Sequence, residues 1–512
     1  MRQMIGAFYS QAVSGRGLSI LASAFVLSSC LGIVRAGPLD EDTERLIRHA
    51  NLGNAKIGLS VIDLDTGEEL ASHGADSALI PASTMKLLTT GMALKVLGED
   101  FTFRTELIVD ESVSPPILII RGDGDPALGD PAIFIDETPG VELGTLLDQI
   151  AMSLKAGGIT SLSEVVIDDR VFDREYTHPA WPEDQLNRWY CAQVGGLNFH
   201  TNVINVYTKP STGGTPIVEM IPDAYWVQMR VKAKSNRKSR DTAWVSRPTK
   251  ANSFTVHGNV SAQSEIPVAV DTPPLFAGRV FAQALAERGI PVGTEGRDGY
   301  SAVRLWDVGD EFVESRVVAV ITTPIADVLK RINTNSHNLY AEALLKRVGH
   351  EVTSDPGSWE NGGAVLRMAL SDALGADAAE TTVISDGSGM SRENRVTANT
   401  FVGWLRSAAR SDHWDTFSQS LAIPGEGTLR KRFTIDSLRN SLHAKSGYLT
   451  GTYALAGVLE HPRTKQRVGF SIMLNDVKVG STSRNAKPFI DDVVEQIDAY
   501  LSEIAGDPAM GG

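Results

Sequence analysis

Apolar residues along this chain change their spacing several times, and each change marks an element. Residues Asp40 to His49 read as a helix, after which Ile57, Leu59 and Val61 alternate with smaller residues up to Asp65-Thr66-Gly67, predicting a β-hairpin. Met85, Leu88, Met92 and Val96 then recur at helical spacing ahead of Gly98, the pattern of an amphipathic helix with a glycine cap. From residue 100 to about 317 the pattern breaks into short apolar runs at 117–120, 165–167, 203–207 and 226–231, separated by turn residues. This predicts an inserted β-rich region, 100–317, built as two subdomains. Beyond Thr323-Pro324 helical periodicity returns over 325–346. The run 468–474 is expected to pair with 454–459 across the Pro462 turn, and Ile490, Val494, Ile497, Leu501 and Ile504 form one helical face behind Pro488. The expected class is α/β (α+β), with residues 37–99 and 318–512 forming a sheet covered by helices.

Composition narrows the function. Forty-eight Lys and Arg against 62 Asp and Glu give a net charge of -14, which repels a phosphate backbone, so no nucleic-acid partner is expected. The basic run Lys232, Lys234, Arg237, Lys238 and Arg240 alternates with small polar residues and reads as a solvated loop. The two cysteines, Cys30 and Cys191, cannot build a disulfide framework or a four-cysteine metal site. The N-terminus places Arg2 and Arg16 around small and apolar residues, continues into an apolar run at 18–27 and reaches Val34-Arg35-Ala36, so residues 1–36 read as an export signal. The run is too short and Ser-rich for a membrane span, and no transmembrane segment is expected in the mature chain. Leu27-Ser28-Ser29-Cys30 also has the form of a lipoprotein signal, leaving two routes open: cleavage after Ala36, or lipidation at Cys30. Either puts the protein in the periplasm or cell envelope.

The candidate chemistry sits in three short motifs. Ser83-Thr84-Met85-Lys86 places a hydroxyl and an amine on one helical face, one turn apart. Serine needs a neighbour to take its proton, and lysine serves only if burial or a second cation lowers its pKa. Ser336-His337-Asn338 heads another apolar-faced helix, and Lys445-Ser446-Gly447-Tyr448 precedes a strand, where a cation could hold a carboxylate and glycine permits close approach to the backbone.

Together, in this order, S-x-x-K, S-x-N and K-[ST]-G resemble the signature of the penicillin-recognising serine acyl enzymes. The spacings, 253 residues from Ser83 to Ser336 and 109 from there to Lys445, resemble most closely the D-alanyl-D-alanine carboxypeptidase/endopeptidase family, the low-molecular-mass class C penicillin-binding proteins. Gly122-Asp-Gly-Asp-Pro-Ala-Leu128, Asp386-Gly-Ser-Gly-Met-Ser-Arg392, Pro424-Gly-Glu-Gly-Thr-Leu-Arg430 and His443-Ala-Lys-Ser-Gly447 are similar to that family too. The resemblance implies a penicillin-binding-protein/serine β-lactamase-like transpeptidase fold with an antiparallel sheet. It implies a serine-type D-Ala-D-Ala carboxypeptidase or DD-endopeptidase acting on peptidoglycan stem peptides, acylated by β-lactams and using no cofactor or metal. Ser83 would be the nucleophile and Lys86 its base. Ser336 would relay the proton to the leaving amine, and Asn338 would hold the substrate amide and steady Lys86. Lys445, Ser446 and Gly447 would serve the terminal carboxylate, Lys445 also keeping Lys86 neutral, and the amides of Ser83 and Tyr448 would form the oxyanion hole. Ser446, Asp123 and Tyr448 depart from the commoner family pattern, and Tyr448 adds bulk where a small hydroxyl residue is frequent.

Two other functions remain compatible with the motifs: a β-lactamase, and a non-catalytic cell-wall-binding relative. Gly122-Asp123-Gly124-Asp125-Pro126-Ala127 matches a dinucleotide fingerprint in form only, since two carboxylates would face an anionic pyrophosphate. Asp386-Gly-Ser388-Gly lacks the first glycine of an esterase elbow and is expected to be a turn lining the cleft. His337 and His443 flank motif residues and read as packing or orienting groups rather than metal ligands.

Overall fold

The computed structural model describes residues 37–137, 142–293, 299–312 and 314–506, so the reading of residues 1–36 as an export signal lies outside them. Its first sheet runs in the order Leu442–Leu449, Thr452–Glu460, Arg467–Asn475, Lys56–Asp63, Glu69–His73, antiparallel throughout. Strand alternation divides the core: Leu455 and Leu459 face the C-terminal helix at Phe489 and Ile490, whereas Ala454, Ala456 and Val458 join a helical layer containing Leu87, Leu88 and Phe401. The small side chains on that second face let helices approach the sheet where the motifs converge. The expected pairing of 454–459 with 468–474 is present, with Leu455 opposite Ile472 and Leu459 opposite Val468.

The chain leaves this layer through the strand Thr102–Asp110 and returns through Ser315–Pro324, and these two strands pair antiparallel from Thr102↔Pro324 to Asp110↔Ser315. Entry and exit therefore lie side by side, so a long insertion is accommodated without separating the elements it interrupts. With three strands of the insert they form a mixed five-stranded sheet, and smaller sheets share its core. The region also contains the helices Leu143–Ala156 and Pro273–Glu287, which the β-rich reading did not anticipate. Leu146, Leu147, Ile150 and Leu154 form the buried face of the first, and Pro273-Pro274, a turn signal in isolation, opens the second. The C-terminal helix begins at Ser481, ahead of Pro488. Pro488 is exposed, so water can satisfy the carbonyl that the proline leaves without an amide donor. Among the described residues no helix is long and apolar enough to cross a membrane.

Candidate active site

The three motifs meet at the junction of the antiparallel sheet and the helical layer. Ser83 stands on the 3-10 turn Ala82–Met85, which runs directly into the helix Lys86–Leu97. Two glycines hold the turn. A Cβ on Gly389 would lie 1.8 Å from the Ala82 carbonyl oxygen, and one on Gly447 would lie 2.8 Å from the Pro81 oxygen and 3.1 Å from the Ser83 nitrogen. Gly447 thus brings the strand Leu442–Leu449 against the Ser83 amide, next to Tyr448. The Tyr448 ring is 58% exposed and meets Tyr453 edge-on at 5.2 Å, so its bulk lies outside the buried cluster.

Lys86 is fully buried, with Nζ 3.0 Å from Ser83 Oγ, 2.7 Å from Asn338 Oδ1 and 2.7 Å from the Ser388 carbonyl oxygen. A neutral amine fits this shell: its two N–H groups donate to the two carbonyl-type oxygens, and its lone pair remains for the Ser83 hydroxyl proton. Burial lowers the Lys86 pKa to about 7, against the opposing pull of the Glu342 and Asp386 carboxylates. A lysine with this pKa can accept a proton near neutral pH.

Ser336 lies between the helices Ile325–Asn333 and Asn338–Thr353 with φ of 63°, and its Oγ accepts a 2.9 Å hydrogen bond from Lys445 Nζ, which also donates to the Ser446 carbonyl at 3.0 Å. Burial, and then repulsion from Lys86, hold the Lys445 ammonium well below the ordinary lysine range. Burial is therefore the principal cause at both lysines, and their mutual repulsion registers at Lys445.

Several groups that shape this site carry no motif. Glu342, one turn beyond Asn338, is fully buried and accepts from the amides of Gly387 at 2.9 Å and Ser388 at 2.8 Å and from Trp359 Nε1 at 2.8 Å. Asp386 accepts from the amides of Gly389 and Ser391, from Asn394 Nδ2 and from Trp181 Nε1. The turn at Asp386 therefore lines the site, as expected, and supplies a carbonyl to Lys86. In sequence Glu342 is one carboxylate among alanines and leucines; its only signal is that it falls on the same helical face as Asn338.

The insert reaches into the same cluster. The Tyr190 carbonyl accepts from Asn338 Nδ2 at 2.8 Å, and His178 Nε2 donates to the Ser385 carbonyl at 2.8 Å. Asp130 takes hydrogen bonds from Arg331 Nε at 2.9 Å and the Tyr340 hydroxyl at 2.5 Å, and Asp123 pairs with Arg347 Nε at 2.9 Å. The glycines of the dinucleotide-like string are occupied by the protein's own packing: a Cβ on Gly122 would meet the Gly196 oxygen at 2.2 Å, and one on Gly124 the Phe172 ring. His337 packs against the rings of Trp189 and Tyr340, its pKa lowered to about 3 chiefly by burial, and His443 Nδ1 bonds the Ser418 carbonyl. A cavity of about 540 Å³ among Pro131, Leu147, His200 and Arg288 lies in the insert and includes none of the motif side chains.

Comparison with known proteins shows the family and the fold. A sequence model of the D-Ala-D-Ala carboxypeptidase 3 (S13) family matches residues 39–497. The chain is 31% identical to a D-alanyl-D-alanine carboxypeptidase of Actinomadura sp. (strain R39), over 97% of this chain and 90% of the relative. It is 22% identical to the D-alanyl-D-alanine carboxypeptidase DacB of Haemophilus influenzae, over 85% of this chain and 88% of the relative. The crystal structure of penicillin binding protein 4 from Haemophilus influenzae superimposes with a TM-score of 0.72 at 20% identity, covering 89% of this chain and 99% of that one, so the two share a fold.

Proposed function

Because the chain belongs to the D-Ala-D-Ala carboxypeptidase 3 (S13) family and is a serine-type D-Ala-D-Ala carboxypeptidase, a penicillin-binding hydrolase, we propose that Ser83 is its nucleophile and Lys86 its base. The observation that carries this reading is the 3.0 Å approach of Lys86 Nζ to Ser83 Oγ inside a shell suited to a neutral amine. Ser83 Oγ attacks the carbonyl carbon of the penultimate D-alanine while its proton passes to Lys86. The developing oxyanion faces the amides of Ser83 and Tyr448. The proton then travels through Ser336 to the leaving nitrogen, the C–N bond breaks, and the terminal D-alanine departs. Water attacks the resulting ester, its C–O bond breaks, and Ser83 regains its proton.

Asn338 holds the substrate amide and orients Lys86. Lys445, with Ser446 and Gly447, receives the terminal carboxylate, whose negative charge would favour the protonated form of the buried Lys445. A β-lactam enters the same path and stops at the acyl-enzyme. The substrate is the stem peptide of peptidoglycan. The protein is exported through residues 1–36, either cut after Ala36 or lipidated at Cys30.

Digestion of purified peptidoglycan tests the reading, with mass spectrometry following loss of terminal D-alanine and of cross-linked dimers. Either loss, abolished by Ser83→Ala, is the expected result. An undigested wall with folded wild-type protein, or full activity in Ser83→Ala, contradicts it.

A further inference from the structure

We propose that Glu342 is a positioning residue for Lys86: its carboxylate clamps the amides of Gly387 and Ser388 so that the Ser388 carbonyl faces the lysine, and its charge favours the protonated lysine. This inference rests on Lys86 acting as the base for Ser83. The geometry runs through one residue. Ser388 donates its amide to Glu342 Oε1 at 2.8 Å and presents its carbonyl to Lys86 Nζ at 2.7 Å. Gly387 and Trp359 Nε1 fix the other carboxylate oxygen. Helix periodicity puts Glu342 one turn from Asn338, whose Oδ1 is the other carbonyl-type oxygen on Lys86, so one helix sets two of the three groups around the amine.

The charged surroundings give this arrangement a sign. Lys86 faces the carboxylates of Glu342 and Asp386, the Lys445 ammonium from the neighbouring strand, and His337, which burial keeps neutral. Glu342 faces Asp386 and Lys346. Burial and then Asp386 push the Glu342 pKa up to about 7, against its three N–H donors. Where Glu342 is ionised it raises the Lys86 pKa, so removing its charge lets Lys86 lose its proton at lower pH.

The test is the pH profile of benzylpenicillin acylation, read as drug mass on the Ser83 peptide in single-turnover experiments with the exported protein. Glu342→Gln is expected to move the acid limb down by up to about one pH unit, the low end of the effect of a nearby charge, because Glu342 is itself only partly ionised near pH 7. It should also lower the plateau by about tenfold through the disturbed Ser388 carbonyl. Glu342→Asp keeps the charge, so its limb should stay with wild type while its plateau falls. A limb unmoved in Glu342→Gln, whatever happens to the plateau, overturns the proposal, because a purely structural role predicts that result. If Glu342→Gln does not fold, Trp359→Phe asks the same question: losing one N–H donor keeps Glu342 protonated to higher pH and should shift the limb downward, and an unmoved limb again overturns it. Wild-type labelling on a residue other than Ser83 would instead refute the proposed function, an outcome read from the peptide map and not from the limb.

Discussion

Lys86 Nζ and Asn338 Oδ1 are 2.7 Å apart although the residues are 252 positions apart in the chain, and this contact fixes the amine that lies 3.0 Å from Ser83 Oγ. Replacing Lys86 by alanine should therefore slow acylation by ~10²-fold or more, the scale of losing a positioned base. Lys86→Arg should be no better, because guanidinium does not give up its proton in this range. Stopped-flow acylation with benzylpenicillin checks both, and near-wild-type rates in either variant would remove the base from the account.

The pH dependence follows from the same lysine. Its pKa is lowered to about 7, so the neutral, proton-accepting form grows as pH rises through that value. Acylation by benzylpenicillin should increase across pH 6 to 8 and level off above, whereas an unperturbed lysine would keep increasing toward about 10.4.

Gly447 makes a steric prediction. A methyl group at this position would press on the Pro81 carbonyl and the Ser83 amide, so Gly447→Ala should push the strand away from the serine turn. Acylation should fall by about tenfold or more, since small misplacements of reacting groups are costly. Near-unchanged thermal unfolding with the slower acylation is the expected pair of results; an unchanged rate would mean the strand does not position Ser83.

Asp130 ties the insert to the helix carrying Asn338. Burial raises its pKa, but Arg331, His337, the Tyr340 hydroxyl and the Ala132 amide outweigh this, and the net shift is downward. Its contribution to stability is therefore present above the unfolded-state value of about 3.9 and is lost as pH falls through the lower folded value. Asp130→Asn leaves the half-buried Arg331 without this counter-ion and should destabilise the fold by up to about 3 kcal/mol at neutral pH, the low end for breaking a buried pair, with the difference from wild type shrinking in acid. Thermal unfolding measured across pH 3 to 7 checks it.

The geometry also changes what the insert is expected to do. From sequence, 100–317 contributes no motif, and the simplest expectation is a wall that selects the stem peptide. The Tyr190 carbonyl on Asn338, the His178 ring on the Ser385 carbonyl and Asp130 on Arg331 and Tyr340 place insert atoms against the elements that carry the motifs. Replacing 111–314 with a short linker should thus abolish hydrolysis of small thioesters as well as of peptidoglycan. Retained thioester hydrolysis would restrict the insert to selection.

Much of the candidate site was legible because Ser83, Lys86, Ser336, Asn338 and Lys445, which the fold brings together, sit in short local strings whose residue types suggest their chemistry. The outer elements were legible because their apolar positions repeat over several turns or alternate along a strand. Glu342 and Asp386 were not, because their importance comes from burial and from backbone amides that only tertiary structure brings to them. The helices of the insert were not read because 100–317 was taken as one β-rich region from its short apolar runs, although Leu146, Leu147, Ile150 and Leu154 recur at helical spacing.

The central claim is that Ser83 is the nucleophile that Lys86 activates. It is tested most directly by incubating the protein with benzylpenicillin and mapping the adduct by peptide mass spectrometry. One added drug mass on the peptide containing Ser83, absent in Ser83→Ala, is the result predicted here; an adduct on any other residue of the wild type, or one that persists in Ser83→Ala, would contradict it.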